Sequence, residues 1–69
     1  MNNTKITKTI TRIELEQVVN FDDFSETLKD NLSDIIVAKE NNKIVVYCLT
    51  NEARYVAYEI KNTLKEIEE

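Results

Sequence analysis

Six apolar residues in succession, from Ile44 to Leu49, stand in a chain of which 32% is charged. A strand that covers a core with one face and meets water with the other alternates apolar and polar residues, because neighbouring side chains point to opposite faces. This run does not alternate, so both of its faces are expected to be covered. The chain has only 69 residues, and a domain of that size has few elements with which to cover them.

The apolar run belongs to a predicted β-hairpin. Residues 35–40 and 43–49 are predicted strands joined by Asn41-Asn42, a pair that tolerates the positive φ angles of a two-residue type I′ turn. Such a turn pairs Glu40 with Lys43 and thereby assigns every side chain to a face. One predicted face carries Ile35, Val37, Ile44, Val46 and Cys48, and the other carries Ile36, Ala38, Val45, Tyr47 and Leu49.

Two helices and one further strand complete the predicted elements. Asn20 suits the N-cap of a helix of about three turns, which is expected to end around residues 31–34. Thr50 or Asn51 is expected to cap a last helix, whose apolar residues recur at three- and four-residue steps to the C-terminus. Residues 4–19 are a predicted strand whose apolar residues change face near Thr11, so a bulge or a late start is expected there.

Together these elements predict a single α+β domain over residues 9–69, preceded by a flexible basic segment at residues 1–8. The order is β-α-β-β-α, with a three-stranded antiparallel sheet and two helices on one of its faces. Each helix has a single apolar stripe, so neither can also cover the second face.

The uncovered face predicts a second protein chain. Contiguous apolar surface of this size is rare on monomers, and we expect a homodimer, or a heterodimer with a similar small subunit. Its predicted interface consists of Ile36, Ala38, Val45, Tyr47 and Leu49. The alternatives are one helix on each face, or a sheet curled tightly enough to bury both sides.

The last predicted helix carries a second candidate contact surface. At about 100° per residue, the side opposite its apolar stripe bears Arg54, Tyr55, Tyr58, Lys61 and Lys65. Tyrosine and arginine are enriched among the residues that dominate protein interfaces, so this band is a predicted contact for a partner protein or RNA. An ordinary solvated helix face is the alternative.

Composition argues against most catalytic and cofactor-binding classes. The chain has no histidine, glycine or proline, and Cys48 is its single cysteine. We therefore expect no metal site, no internal disulfide and no glycine-rich phosphate loop. The acid pairs Glu14/Glu16 and Asp22/Asp23 lack a neighbour evidently placed to tune their pKa. A protein without catalytic activity or cofactor is the expectation.

The charge and hydropathy of the chain limit the kinds of molecule it is expected to bind and the compartment it is expected to occupy. The formal net charge is −4, and a mostly acidic body repels phosphate, so a broad basic nucleic-acid surface is not expected. No apolar run approaches the roughly 20 residues of a membrane span, and residues 1–9 do not resemble a signal peptide. We therefore expect a cytoplasmic protein.

Four segments, RIELE, FDDFSETL, IIVAKENNKIVVYCLT and NEARYVAYEI, give the chain a family resemblance. Over about residues 9–68 it resembles the small Pcc-type subunit of the KEOPS complex, which assists threonylcarbamoyl modification of adenosine in transfer RNA. Arg54 stands where that family usually has an arginine. Tyr55, Glu59 and the short loop before the hairpin depart from the family pattern, so a divergent paralogue fits as well.

The resemblance implies a non-catalytic accessory subunit. It implies that the chain dimerises through its strands, presents its helices to a larger catalytic subunit and helps that subunit engage transfer RNA. Under this reading Lys5, Lys8 and Arg12 are candidate contacts to RNA phosphate, with a loose arm that aids solubility as the alternative.

A hypothesis from another class is a small acidic protein of viral or mobile-element origin that binds and inhibits a host enzyme. Such an inhibitor can use its acidic surface to imitate nucleic acid. Carboxylates aligned in rows would favour this hypothesis, whereas dispersed acids and an apolar sheet surface would favour the accessory subunit.

Overall fold

The computed structural model describes residues 9–68. Its elements follow the order β1 (Ile10–Glu14), α1 (Phe21–Asn31), β2 (Ile36–Glu40), β3 (Lys43–Leu49) and α2 (Ala53–Glu68), with a short 3-10 turn, Thr50–Glu52, before α2. The strands form an antiparallel sheet in the order β1-β3-β2. The predicted α+β class and the predicted element order are confirmed.

The β2–β3 hairpin sets the register of the sheet. Asn41 and Asn42 adopt φ angles of 53° and 68°, which are the left-handed values that a type I′ turn requires. Glu40 lies opposite Lys43, so the predicted turn and pairing are confirmed. Because β3 is the central strand, its apolar run has a neighbouring strand on each side.

β1 is shorter than the strand predicted for this part of the sequence. It starts at Ile10, which confirms the expected late start, and its register places Ile13 opposite Val46 of β3. The Thr50 N–H donates to the Thr9 carbonyl at 2.9 Å, which extends the contact past the first residue of β1. Residues 4–8 of the predicted strand, and the predicted flexible segment 1–8, lie outside the described residues.

Asn20 caps α1 as predicted. Its side-chain Oδ1 accepts a hydrogen bond from the Asp23 N–H at 2.9 Å, which satisfies one of the N–H groups left free at a helix start. The start of α2 differs from the prediction, because Leu49, rather than Thr50 or Asn51, precedes the first residue of the 3-10 turn. The Thr50 hydroxyl instead lies 2.8 Å from the hydroxyl of Thr11 on β1.

Both helices pack on the same face of the sheet. The core joins Phe24 and Leu28 of α1 to Val56 and Ile60 of α2. The buried residues that complete this cluster are Leu15, Ile44, Val46 and Cys48. The predicted arrangement of two helices on one face is therefore correct. We call the opposite side of the sheet, which faces away from both helices, the open face.

α2 buries a polar side chain that the spacing of apolar residues did not indicate. Thr63 is 1% exposed, and its hydroxyl has no hydrogen-bond partner within residues 9–68. Ala57, which the spacing predicts in the apolar stripe, is exposed. The buried stripe of α2 is thus rotated towards Thr63.

Neither α1 nor α2, the helices of the described part of the chain, combines the length and the apolar character needed to cross a membrane.

Candidate protein interface on the open face of the sheet

The open face is formed by alternate residues of the three strands. The register arranges them in rows, which contain Ile10 and Leu49; Arg12, Tyr47 and Ile36; Glu14, Val45 and Ala38; and Lys43 and Glu40. The face therefore has a charged half near the β2–β3 turn and an apolar half at the other end.

A series of polar contacts, which we call the open-face network, covers the charged half of the open face. Arg12 Nη2 donates to Glu40 Oε1 at 3.1 Å, and Arg12 Nη1 donates to Glu14 Oε1 at 3.3 Å. Lys43 Nζ lies 3.4 Å from Glu14 Oε2. The Tyr47 hydroxyl donates to Glu40 Oε2 at 2.6 Å. These five side chains come from all three strands, so the network spans the width of the sheet.

The network shifts the pKa values of Glu40 and Arg12. The hydrogen bond from Tyr47, followed by the one from Arg12, stabilises the Glu40 carboxylate and holds its pKa below the ordinary value. The hydrogen bond to Glu40 is the largest influence that raises the pKa of Arg12. Arg12 and Glu40 are therefore both charged at neutral pH, and their charges balance one another on the surface.

Val45 lies on the open face, as predicted, but it has no exposed surface: its relative exposure is 0%. In its row it lies between Glu14 and Ala38, inside the area that the network spans. A side chain without exposed surface cannot contact a partner in this conformation. Val45 is therefore a core residue beneath the chain's own polar side chains, and we remove it from the predicted interface.

The other half of the face is an apolar patch, made of Ile10, Ile36, Leu49 and the ring of Tyr47. Ile36 is 64% exposed and Ile10 is 57% exposed, while Tyr47, Leu49 and neighbouring Ala38 are half-buried. A cleft of about 230 Å³ opens here, lined by Ile10, Asp34, Ile36, Tyr47, Cys48 and Leu49. Four predicted interface residues thus keep exposed surface. The predicted interface did not include Ile10. Because Ile10 lies three positions before Ile13 in the strand, the two side chains point to opposite faces, which places Ile10 on the open face.

The predicted band on α2 faces solvent. Its five members, all exposed, are Arg54, Tyr55, Tyr58, Lys61 and Lys65. The negative charge of Glu59, one helical turn after Tyr55, is the main influence that raises the pKa of the Tyr55 hydroxyl.

The residues predicted to contact RNA phosphate are divided between two regions. Lys5 and Lys8 lie outside the described residues. Arg12 lies on β1 and binds the carboxylates of Glu14 and Glu40, so its positive charge is balanced on the sheet rather than presented to an incoming anion.

The residues considered for chemistry occupy structural positions. Cys48 is 2% exposed, and burial raises the pKa of its thiol, which disfavours the reactive thiolate. Glu14 belongs to the open-face network, and Asp22 and Asp23 lie in the first turn of α1, where acids complement the helix dipole. Within residues 9–68, no three His, Cys, Asp or Glu side chains are grouped as metal ligands would be.

The apolar patch and the α2 band are the two surfaces on which the predicted protein-contact residues are exposed. Comparison of the chain with models of protein families, with curated proteins and with solved structures finds no match in any of the three.

Proposed function

We propose that this protein is a non-catalytic accessory subunit, which associates through its sheet with a like chain and presents α2 to a larger enzyme subunit. The observation that carries the proposal is the apolar patch, where Ile10 and Ile36 are both more than half exposed. Exposed contiguous apolar surface on a small domain is characteristic of a contact site. The closed, charge-balanced network beside it limits that site to one half of the face.

The size of the patch supports a modest association. Complete burial of an isoleucine side chain stabilises a protein by about 1.5 to 3 kcal/mol, and more than half of that gain is still available at Ile10 and Ile36. Association itself costs about 4 to 15 kcal/mol in lost freedom. The patch alone therefore gives a weak complex, and a stable one requires contacts beyond it.

The larger partner is proposed from the resemblance to Pcc-type subunits. Under that resemblance it is the catalytic subunit of a KEOPS assembly, and this chain helps it engage transfer RNA for threonylcarbamoyl-adenosine modification. The α2 band supports a protein contact, because it combines exposed Tyr55 and Tyr58 with Arg54. Co-expression with that catalytic subunit tests this part. We expect co-purification, and we expect Arg54→Glu to abolish it without unfolding the chain.

Light scattering at micromolar concentration tests the association of like chains. We expect the wild type to be a dimer and Ile36→Glu to be a folded monomer, because a charge placed in an apolar contact is costly. Val18→Glu is the matched control, since Val18 is 94% exposed and lies outside the patch; this variant should remain dimeric. A monomeric wild type would remove the support for a dimerising subunit. Val45→Glu is unsuitable as a test, because it would place a charge in the core.

α1 supports a second candidate function. In this case the protein is an acidic inhibitor of a host enzyme, and that enzyme is one that binds nucleic acid. Asp22, Glu26 and Asp30 are exposed and follow at four-residue steps, so they line one side of the helix at intervals of about 6 Å. Such a row imitates the successive phosphates of a nucleic-acid strand. Inhibition of purified nucleases by the wild type, lost in a variant with all three residues changed to Asn or Gln, would favour this candidate. Equal nuclease inhibition by the wild type and by the triple variant would exclude this second candidate function.

A further inference from the structure

A groove crosses the end of the sheet at which β2 begins and β3 ends. Residues 32–35 connect α1 to β2, and a cleft of about 430 Å³ lies between this connection and the start of α2. A second cleft, of about 390 Å³, extends to Ile36 and Leu49. The two clefts share residues 33–35, so they form one elongated depression, which we call the end groove.

The end groove is apolar on the side of the sheet and acidic on the side of α2. Ile36 and Leu49 line the sheet side. Glu52 lines the α2 side, and Asp34 lines both clefts; both carboxylates belong to exposed residues. No lysine or arginine of residues 9–68 lines either cleft. A complementary ligand therefore combines an apolar group with positive charge.

The charges of Asp34 and Glu52 are not balanced by a partner in the described part of the chain. The ion pairs of residues 9–68 all belong to the open-face network. Glu52 complements the dipole of α2, but Asp34 precedes a strand and has no such role. Burial, followed by the negative charge of Glu52, raises the pKa of the Cys48 thiol, so the field of this carboxylate reaches the end of β3. The groove thus has a negative potential that a cation can balance.

Tyr55 connects the end groove to the α2 band. This exposed tyrosine lines the wider cleft, and it is also a member of the band. An aromatic face attracts a cation, and it offers apolar surface to the methylene groups of a lysine or arginine side chain. A protein that contacts the band can therefore extend a segment into the groove without a gap.

We propose that the end groove binds an extended segment of a partner protein, in which an apolar side chain is followed or preceded by basic side chains. The inference rests on the proposed function, because that function places a partner protein on the α2 band. The apolar side chain packs on Leu49 and Ile36, and the basic side chains pair with Asp34 and Glu52. Side chains two positions apart in an extended segment point to the same side, about 6.6 Å apart, so about five residues supply these contacts.

The end groove meets the apolar patch only at its margin. Ile36 and Leu49 belong to both surfaces, whereas Ile10 and Tyr47 line the cleft of the open face and not the groove. A bound segment therefore covers the end of the sheet and leaves Ile10 and Tyr47 accessible to a like chain.

Two seven-residue peptides test the end groove. The first is all serine except for leucine at its second position and lysine at its fourth and sixth, and the second has the reverse order. We expect one of them to bind the full chain labelled with nitrogen-15 and to shift the amide signals of residues 32–36 and 49–52, but not those of Asn41 and Asn42. Versions with glutamate in place of lysine should not bind. Shifts on α1 without shifts in the groove would overturn the proposal.

Removal of the two groove charges tests their role. Asp34→Asn combined with Glu52→Gln should weaken peptide binding by about fivefold or more, because two ion pairs are lost. Glu26→Gln combined with Asp30→Asn is the matched control, since it removes the same net charge from exposed positions on α1. The control should retain its affinity to within about twofold. Equal weakening by both pairs would overturn the proposal, because it would indicate attraction to the net charge alone.

The same measurements identify two other occupants of the groove. Lys5, Ile6 and Lys8, which lie outside the described residues, combine the same residue types. Peptide binding that appeared only after all three were changed to serine would assign the groove to the chain's own segment and overturn the proposal. Groove signals that shift with protein concentration, in the absence of peptide, would assign it to a second copy and overturn it as well.

The results separate this inference from the proposed function. A dimeric wild type whose groove binds neither peptide would overturn the inference and leave the association of like chains intact. A monomeric wild type that binds a peptide through Asp34 and Glu52 would support the inference and overturn the association of like chains.

Discussion

The hydroxyl of Tyr47 donates a 2.6 Å hydrogen bond to Oε2 of Glu40 across the β2–β3 hairpin. The other oxygen of the same carboxylate accepts a hydrogen bond from Arg12 of β1. A single side chain on the edge strand β2 is thus bonded to both other strands of the sheet.

Replacing Tyr47 with phenylalanine should raise the pKa of Glu40, because the hydroxyl is the largest influence that holds this pKa down. The ring remains, so we expect the fold to be retained. An NMR titration of the side-chain carboxyl measures the shift. Tyr58→Phe removes a hydroxyl on exposed α2 and should leave the pKa of Glu40 unchanged. The same Glu40 pKa in Tyr47→Phe and in the wild type would contradict the assigned role of the hydroxyl.

Glu40 should also make stability depend on pH. Its pKa in the folded protein lies below the ordinary value of 4.5, so its stabilising contribution is fully present above that pH. The contribution is lost as the pH falls through the lowered pKa of the folded state. Glu40→Gln does not titrate, so its difference from the wild type in urea midpoint should shrink over this acidic range. A difference that stayed constant from neutral pH into strong acid would show that the pKa is not lowered.

Truncation of Val45 and of Ile36 should have unequal effects on the fold. Val45→Ala removes buried methyl groups and should lower the free energy of unfolding by about 2 kcal/mol. Ile36→Ala removes largely exposed atoms and should lower it by less than about 1 kcal/mol. Urea denaturation at concentrations too low for association measures both. Equal losses would mean that the open-face network does not bury Val45.

Thr63→Val should stabilise the protein. The buried Thr63 hydroxyl has no partner within residues 9–68, and its replacement by a methyl group of similar shape removes a desolvation penalty of about 1 to 3 kcal/mol. Thermal or urea unfolding should show the gain. Thr50→Val is the matched control, because the Thr50 hydroxyl is paired with Thr11, and it should bring no gain. Destabilisation by Thr63→Val would indicate that the hydroxyl is satisfied in solution.

Local signals accounted for most of the fold. Asn41-Asn42 fixed the register of the hairpin, since two adjacent left-handed residues permit one pairing of the strands. Asn20 marked the start of α1, because an amide oxygen at that position satisfies the Asp23 N–H. The change of face near Thr11 indicated the late start of β1. Each of these features depends on residues close together in the chain.

The features that could not be predicted depend on residues far apart in the chain. The alternation of side chains in the hairpin predicted that Val45 lies on the open face. Its burial, however, depends on Arg12 and Glu14 of β1 lying beside β3, and this follows only from the strand order. The burial of Thr63 depends on the rotation of α2 against α1, which the spacing of apolar residues leaves open by tens of degrees. The same strand order makes β3 the central strand and β1 and β2 the edges of the sheet.

The placement of Arg12 and Glu14 has a consequence for how the strands find their alignment. A slip of β1 by one residue against β3 would turn its side chains to the opposite face, so that Arg12 and Glu14 would point beneath the helices and Ile13 would point to water. A misaligned sheet would have to bury two charges, whereas the native alignment keeps both hydrated and bonded. The charged residues thereby disfavour forms of the sheet in which β1 is out of register. This role does not depend on how much each ion pair stabilises the native fold.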